Sequence, residues 1–253
     1  MPEAKTVTAC LVIIGNEILS GRTVDANLAF LARGLVELGI ELREVRVIPD
    51  ETEAIVETIN EVRHGHDYVF TTGGIGPTHD DITSECVAKA FAVPLIQHPE
   101  ALRRLKSHYA NPADLNPARL RMTYVPEGAS LIDNPISKAP GFRIANVFVL
   151  AGVPRIMQAM FEGLAPGLKG GPKVLSRTLT GDLAEGRLAE DLRALQGRFP
   201  TVQMGSYPYF QIGKVGTSIV LRSTEPERLA AAVDELRAIF RAYGVEPSDD
   251  SSD

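Results

Sequence analysis

The segment from Thr71 to Thr83 reads TTGGIGPTHDDIT. Its three glycines let the backbone turn tightly and bring N–H groups close to a ligand. A helix opening directly after it adds unpaired donors and partial positive charge at its N-terminus, which suits a phosphate. Gly73, Gly74, Ile75, Gly76, Pro77, Thr78 and Thr83 are therefore candidate ligand-binding residues. Asp80 and Asp81 have two chemical readings. They can hold Mg²⁺ or another hard cation beside the phosphates, or one of them, Asp81 first, can activate a water as a base. The competing structural reading is that they cap the next helix.

Other residues are expected on the same edge, because ligands of an open parallel sheet bind beyond the carboxyl ends of its strands. Gly15, Asn16 and Glu17 end the first apolar run; Gly15 and Asn16 are candidate binding residues, and Glu17 is a candidate metal ligand or an exposed loop acid. Asp50 follows Pro49 at the end of the second strand and is a candidate catalytic acid or a turn former. Asp25 and Asn27 open the first helix and either cap it or contact the ligand. His79 in the same loop can touch the phosphate or simply face solvent. Two nucleotide motifs are excluded. Gly15 and Gly21 do not make the dinucleotide fingerprint G-x-G-x-x-G. The run Gly213 to Ser218 resembles part of a P-loop but lacks the upstream glycine spacing and a following helix, so it reads as a hairpin turn.

The elements that must position these groups alternate. Val7 to Ile14 is a continuous apolar run, as in a strand buried on both faces. Leu28, Leu31, Leu35 and Leu38 follow at helical spacing and stop at Gly39. Glu41 to Ile48 reads as a strand, Ile55 to Val62 as a helix, Tyr68 to Phe70 as a strand and Thr83 to Phe91 as a helix. The order implies an α/β fold with a mainly parallel sheet and helices on both faces. Pro99 to Met122 reads as two helices, Leu131-Ile132 and Val147 to Leu150 as short strands, and Pro154 to Leu164 as a helix opened by proline.

Residues 168–172, LKGGP, are the best linker. This gives a first domain over 1–168 and a small α+β unit of β-α-β-β-α order over 172–246. The polar, acidic residues 247–253 are expected to be a disordered tail.

The chain has 253 residues, 44% of them hydrophobic and 23% charged, with a formal net charge of −6. An acidic chain without a Lys/Arg block is a poor partner for nucleic acid and offers no basic helix to a membrane surface. No apolar run approaches the ~18 residues that span a bilayer, and Met1 to Lys5 show no secretory-signal design. Cys10 and Cys86, the only cysteines, lie in apolar runs and are expected to be free thiols of a cytoplasmic chain. No Cys/His cluster has the spacing of a zinc site.

The succession Ile14-Gly15-Asn16-Glu17-Ile18-Leu19-Ser20-Gly21, Asp25-Ala26-Asn27, Pro49-Asp50 and TTGGIGPTHDDIT resembles the MoaB/MogA-like domain of molybdenum-cofactor biosynthesis. It is most similar to the CinA N-terminal branch, which Val125 to Ala129, Asn134-Pro135, Ala139 to Phe142 and Ala151 to Pro154 also resemble. The likeness covers roughly residues 6–165. Gly205 to Phe210 is similar to a segment in the molybdopterin-binding-like half of eukaryotic FAD synthases.

The resemblance implies a three-layer αβα fold whose site is built from the glycine loop and two acids, matching Asp50 and Asp81 here. It implies a nucleotide or pterin ligand and a divalent cation (Mg²⁺, Mn²⁺ or Co²⁺), for which the residues themselves offer Asp80 and Asp81 as metal ligands, with Glu17 or Asp50 completing the shell. The associated activity is metal-dependent pyrophosphate hydrolysis of ADP-ribose-like or FAD-like dinucleotides; the alternatives are molybdopterin binding and non-catalytic nucleotide binding. It also implies a homo-oligomer, dimer or trimer. Two departures are Ile75, where the molybdenum-cofactor enzymes usually carry Thr, and Ala151, where many CinA-type chains carry Pro. The nicotinamide-mononucleotide deamidase domain of full-length relatives has no counterpart in these 253 residues, so its activity is not expected here.

Overall fold

In the computed structural model, which describes residues 6–109, 111, 114–211 and 214–249, the first apolar run forms β1 (Val7–Ile14) with only Val7 incompletely buried. Gly15 leads into a single helical turn, α1 (Asn16–Leu19). The leucine stripe forms α2 (Asn27–Glu37), and the chain reverses at Gly39, whose φ of +70° favours glycine. Next come β2 (Ile40–Ile48), α3 (Thr52–Gly65), β3 (Tyr68–Thr72) and α4 (Thr83–Ala90). A short excursion holds β4 (Leu95–Gln97), α5 (Pro99–His108), α6 (Pro117–Arg121) and β5 (Tyr124–Pro126). Both of its helices open on proline, and the side chains of His98 and Asn116 cap them. The chain then adds β6 (Ser130–Ile132), β7 (Gly141–Ile144), β8 (Val147–Leu150) and α7 (Pro154–Leu164).

The main sheet runs β2-β1-β3-β8-β7-β6. Its first four strands are parallel and the last two pairings antiparallel. Alternation along β1 feeds two cores. Cys10, Val12 and Ile14 join Ile55, Ile59 and Val62 of α3 and Cys86 and Val87 of α4 on one face. Ala9, Leu11 and Ile13 join Leu31 and Leu35 of α2 and Met157 and Phe161 of α7 on the other. The result is a three-layer αβα fold. The parallel pairing sets the ends of β2, β1, β3 and β8 side by side, so Asp50, Gly15, Gly73 and Gly152 emerge along one edge. β4, β5 and β7 were not anticipated; three- and four-residue strands are too short to show a period.

The chain divides into two compact units between Gly171 and Pro172. The second unit contains β9 (Leu175–Gly181), α8 (Glu185–Arg198), β10 (Gln203–Gln211), β11 (Lys214–Ser223) and α9 (Pro226–Ala242). A two-residue strand, β12 (Ser248–Asp249), follows. Its sheet runs β10-β11-β9-β12, antiparallel throughout. Leu179, Ile219 and Leu221 of the sheet pack on Leu188 and Leu195 of α8 and Leu236 and Phe240 of α9. The expected tail needs correction: Ser248 and Asp249 pair with Thr180 and Leu179. Arg177 and Arg237 both ion-pair with Asp249, an anchor a polar composition does not reveal. Of the run Gly213 to Ser218 read above as a hairpin turn, Lys214 to Ser218 are instead part of β11, because they pair with β10, while residues 212–213 and 250–253 lie outside the described residues. Among the described residues, no helix is long and apolar enough to cross a membrane.

Candidate functional site

The loop between β3 and α4 is shaped by close approaches that only glycine allows. Gly73 has φ +105°, and a Cβ there would lie 2.1 Å from the carbonyl oxygen of Ile14. Gly74 has φ +67°, and a Cβ there would lie 2.1 Å from Thr83 Oγ1. Both side chains are forbidden by conformation and by space. The fully buried Thr83 holds the loop closed: its hydroxyl donates to Gly73 O (3.1 Å) and its N–H to Gly74 O (3.0 Å). Gly73 N–H donates to Leu150 O, which ties the loop to β8. The N–H groups of Gly74, Ile75 and Gly76 find no acceptor among the described residues, and these three residues are partly open to solvent. Three consecutive uncommitted donors form a concavity suited to an anion.

Asp81 closes the far side. Its Oδ2 accepts the N–H (2.8 Å) and the hydroxyl of Thr78. The same carboxylate lies against Gly76, where a Cβ would stand 2.6 Å from Oδ2. The carboxyl of the exposed Asp80 is held below the usual carboxylate range by the neighbouring Thr78 side chain and by its own backbone. Pro77, Thr78 and His79 are exposed. Ile75 turns its side chain onto the α3/α4 core instead of outward.

Asn16 N–H donates to Asp50 Oδ2 (2.8 Å), which fixes Asp50 against the end of β1. Glu17 folds back over Gly15, its carboxylate oxygens 2.7 and 2.8 Å from where a Cβ at Gly15 would stand. Asp25 Oδ1 accepts the N–H of Leu28 (2.7 Å), a capping contact at the start of α2. The buried Asn27 donates to Gly152 O (2.8 Å), and Gly152 in turn packs on Gly73. Asn27 Oδ1 and the hydroxyls of Thr71 and Thr72 are buried without a protein partner, the usual mark of a water or ligand contact.

The proposed metal ligands are not gathered in advance. Among the described residues, one trio of His, Cys, Asp or Glu brings its donor atoms within 4.8 Å of one another, and it is Cys10, Glu44 and His66. Asp80, Asp81 and Glu17 do not form such a trio, because Asp81 is turned onto Thr78 and Glu17 onto Gly15. The structure also adds a group that sequence reasoning missed. Arg121, at the end of α6, donates to the carbonyls of Thr78 and Asp81 (3.3 Å each). It lies 40 residues beyond Asp81, and no local pattern marks it. Beside the loop opens a cavity of about 380 Å³, lined by Ile75, Gly76, Asp81, Gln97, Arg121 and Tyr124 among others. That size suits a small organic ligand.

With this geometry in view, comparison with known proteins is specific. The model of the family described as "Probable molybdopterin binding domain" matches residues 10–170. That of "FAD synthase, middle domain" matches residues 173–249. A protein of Pyrobaculum calidifontis is 37% identical over 212 residues, covering 79% of this chain and 80% of that one. A CinA-like protein of Desulfosudis oleivorans is 36% identical over 203 residues, 76% of this chain but only 49% of its own length. The crystal structure of CinA from Thermoplasma acidophilum, a protein titled as of unknown function, superposes with a TM-score of 0.60 at 34% identity. The superposition covers 64% of this chain and 99% of that one. The chain therefore belongs to the molybdopterin-binding-domain family and, within it, to the CinA-like proteins.

Proposed function

We propose that the chain hydrolyses the diphosphate bond of a nucleotide such as ADP-ribose or FAD, with a divalent cation bound beside the glycine loop. The observation that carries this reading is the set of uncommitted N–H groups of Gly74, Ile75 and Gly76, with the Asp81 carboxylate against Gly76. The domain match over residues 173–249, named for FAD synthase, supports a dinucleotide as the ligand class.

The donor set fits a hard cation. Mg²⁺ commonly takes one or two carboxylates and completes its shell with phosphate oxygens and water, so no preassembled trio is needed. Asp50 and Asp81 each commit one oxygen, Oδ2, to a neighbouring N–H, which orients the carboxylate. Those two would hold the cation, with Asp80 and Glu17 at the rim. The bound cation supplies charge neutralisation at the phosphates and a more acidic water.

The remaining work falls to the protein's own groups. The N–H groups of Gly74 to Gly76 bind the diphosphate and stabilise charge that grows on it as the bond breaks. Thr83 holds the loop in register for that contact. Arg121 steadies the loop's far end. The adjoining cavity receives the organic part of the ligand, with Tyr124 and Gln97 on its wall.

The test is AMP production from ADP-ribose and from FAD with Mg²⁺, Mn²⁺ or Co²⁺, beside Asp81→Ala. Metal-dependent AMP release that falls about 10²-fold or more in the variant, the cost typical of losing a transition-state contact, is the expected result. No turnover with any metal overturns the reading for these substrates. A second reading, binding of a molybdopterin phosphate in the same loop, is favoured by the description of the matched family. Saturable molybdopterin binding without AMP release would single it out.

A further inference from the structure

A second constellation lies on β1, away from the glycine loop. The register between β1 and β2 slips at one point: Ala9 pairs with Leu42, but Cys10 pairs with Glu44, so Arg43 is passed over. A slip of this kind re-aims side chains, and here it places Glu44, instead of Arg43, opposite Cys10. His66, just past the end of α3, completes the group. Its Nδ1 lies 3.1 Å from Val62 O. A carbonyl can only accept, so Nδ1 donates this bond and Nε2 is the ring nitrogen left to face the cluster. Nε2 faces Glu44, with Nε2 to Oε2 at 3.6 Å. Glu44 Oε1 is held by Arg46 Nε at 2.6 Å, and Arg46 also clasps both oxygens of Glu61. Both ring and carboxylate are thus oriented by groups outside the cluster, the arrangement metal-ligating imidazoles ordinarily have.

We propose that Cys10, Glu44 and His66 bind one zinc-type divalent cation, with water as the fourth ligand. The donor set of one thiolate, one imidazole and one carboxylate matches zinc's preferences. In a tetrahedral zinc site, neighbouring ligand atoms stand roughly 3.4–3.6 Å apart, given bonds of about 2.0–2.3 Å. The His66–Glu44 edge already has this length, and all three donor atoms lie within 4.8 Å of one another, so only the sulfur must draw in. Cys10 is fully buried, whereas the Glu44 side chain is 35% exposed, which leaves a way in from solvent. Without metal, burial and the nearby Glu44 push the Cys10 thiol up to about 12. Metal uptake therefore releases the thiol proton to solvent as the sulfur–metal bond forms. The site lies about 13 Å along β1 from the glycine loop at ~3.3 Å per residue. The ion would pin β2 to β1 and to the α3–β3 junction.

The test is a Co²⁺ titration of the metal-stripped full chain. In wild type a near-ultraviolet thiolate-to-cobalt charge-transfer band should appear and saturate at one equivalent of this site, and Zn²⁺ should abolish it on displacing the cobalt. Cys10→Ser should lose the band; Cys86→Ser and Asp81→Ala should keep it. Because Cys10→Ser alters the core, His66→Gln gives the second reading. It should fold, by far-ultraviolet circular dichroism, and bind Co²⁺ at least about 10-fold more weakly. Absence of the band in wild type, its persistence in Cys10→Ser, its loss in Cys86→Ser or Asp81→Ala, or an unchanged affinity in His66→Gln each overturns the proposal.

Discussion

Gly73→Ala and Gly21→Ala form a matched pair of perturbations. Both glycines have positive φ, +105° and +72°, so alanine at either must adopt a left-handed backbone. That costs about 1–2 kcal/mol. The surroundings differ. A Cβ at Gly21 meets nothing within 4 Å, whereas a Cβ at Gly73 stands 2.1 Å from Ile14 O, a main-chain atom at the end of the interior strand β1. Backbone must move to relieve that overlap, and overpacking of this sort adds about 1–3 kcal/mol. The expected loss is about 1–2 kcal/mol for Gly21→Ala and about 2–5 kcal/mol for Gly73→Ala. The assay is urea unfolding of the first compact unit, followed by near-ultraviolet circular dichroism of its tyrosines. Ligand binding should separate the pair further. A shift of about 1 Å in a positioning loop costs on the order of 10²-fold in rate, so Gly73→Ala should lose AMP release while Gly21→Ala keeps it. Equal losses of stability and activity in the two variants would refute the close-approach argument.

Thr83→Val leaves the buried Gly73 carbonyl without its 3.1 Å donor. It should lower stability by about 1–3 kcal/mol, with Thr83→Ser recovering most of it, both read by denaturant midpoints. The buried Asn134 donates to Ser137 Oγ and Ala139 O and accepts from the N–H groups of Ile136 and Ser137. Asn134→Ala should cost about 2–4 kcal/mol, at roughly 1 kcal/mol per net bond, measured the same way. In metal-free protein the Cys10 thiol is raised from 9.0 to about 12, so the folded state favours the neutral thiol. Its contribution is complete below pH 9.0 and is lost as the pH rises toward 12. Alkaline unfolding in that window should be less steep in Cys10→Val, and iodoacetamide at pH 8 should modify Cys10 only after denaturation.

What the sequence revealed follows from distance along the chain. The glycine loop is legible because its pieces are contiguous: strand, glycines, acids and helix lie within Tyr68 to Ala90. The two-faced core of β1 is legible because alternation is a local property. The contacts that finish the site are not local. Asn27 meets Gly152 across 125 residues, and Arg121 meets Thr78 across 43. Asp25 reads equally as cap or ligand until the bond to Leu28 N is seen. The Cys10, Glu44 and His66 cluster was invisible for another reason. Cysteine and histidine spacing gave no zinc signature, and the slip that turns Glu44 toward Cys10 is a property of strand pairing, not composition. β12 was hidden by a polar run that gains its place only by pairing with β9.

The strand order of the main sheet sets a limit on how this molecule can grow. An open sheet offers each outer strand's free N–H and C=O groups to any passing chain, and long, flat, apolar outer strands invite fibrils. Here the outer strands are β2 and β6. β6 has three residues, too few to template a partner. β2 is longer, but it carries Glu41, Arg43, Glu44 and Arg46, and it is kinked where the pairing slips. Two chains aligned along β2 would have to bring those charged side chains into register. The sheet is therefore guarded against edge-to-edge aggregation.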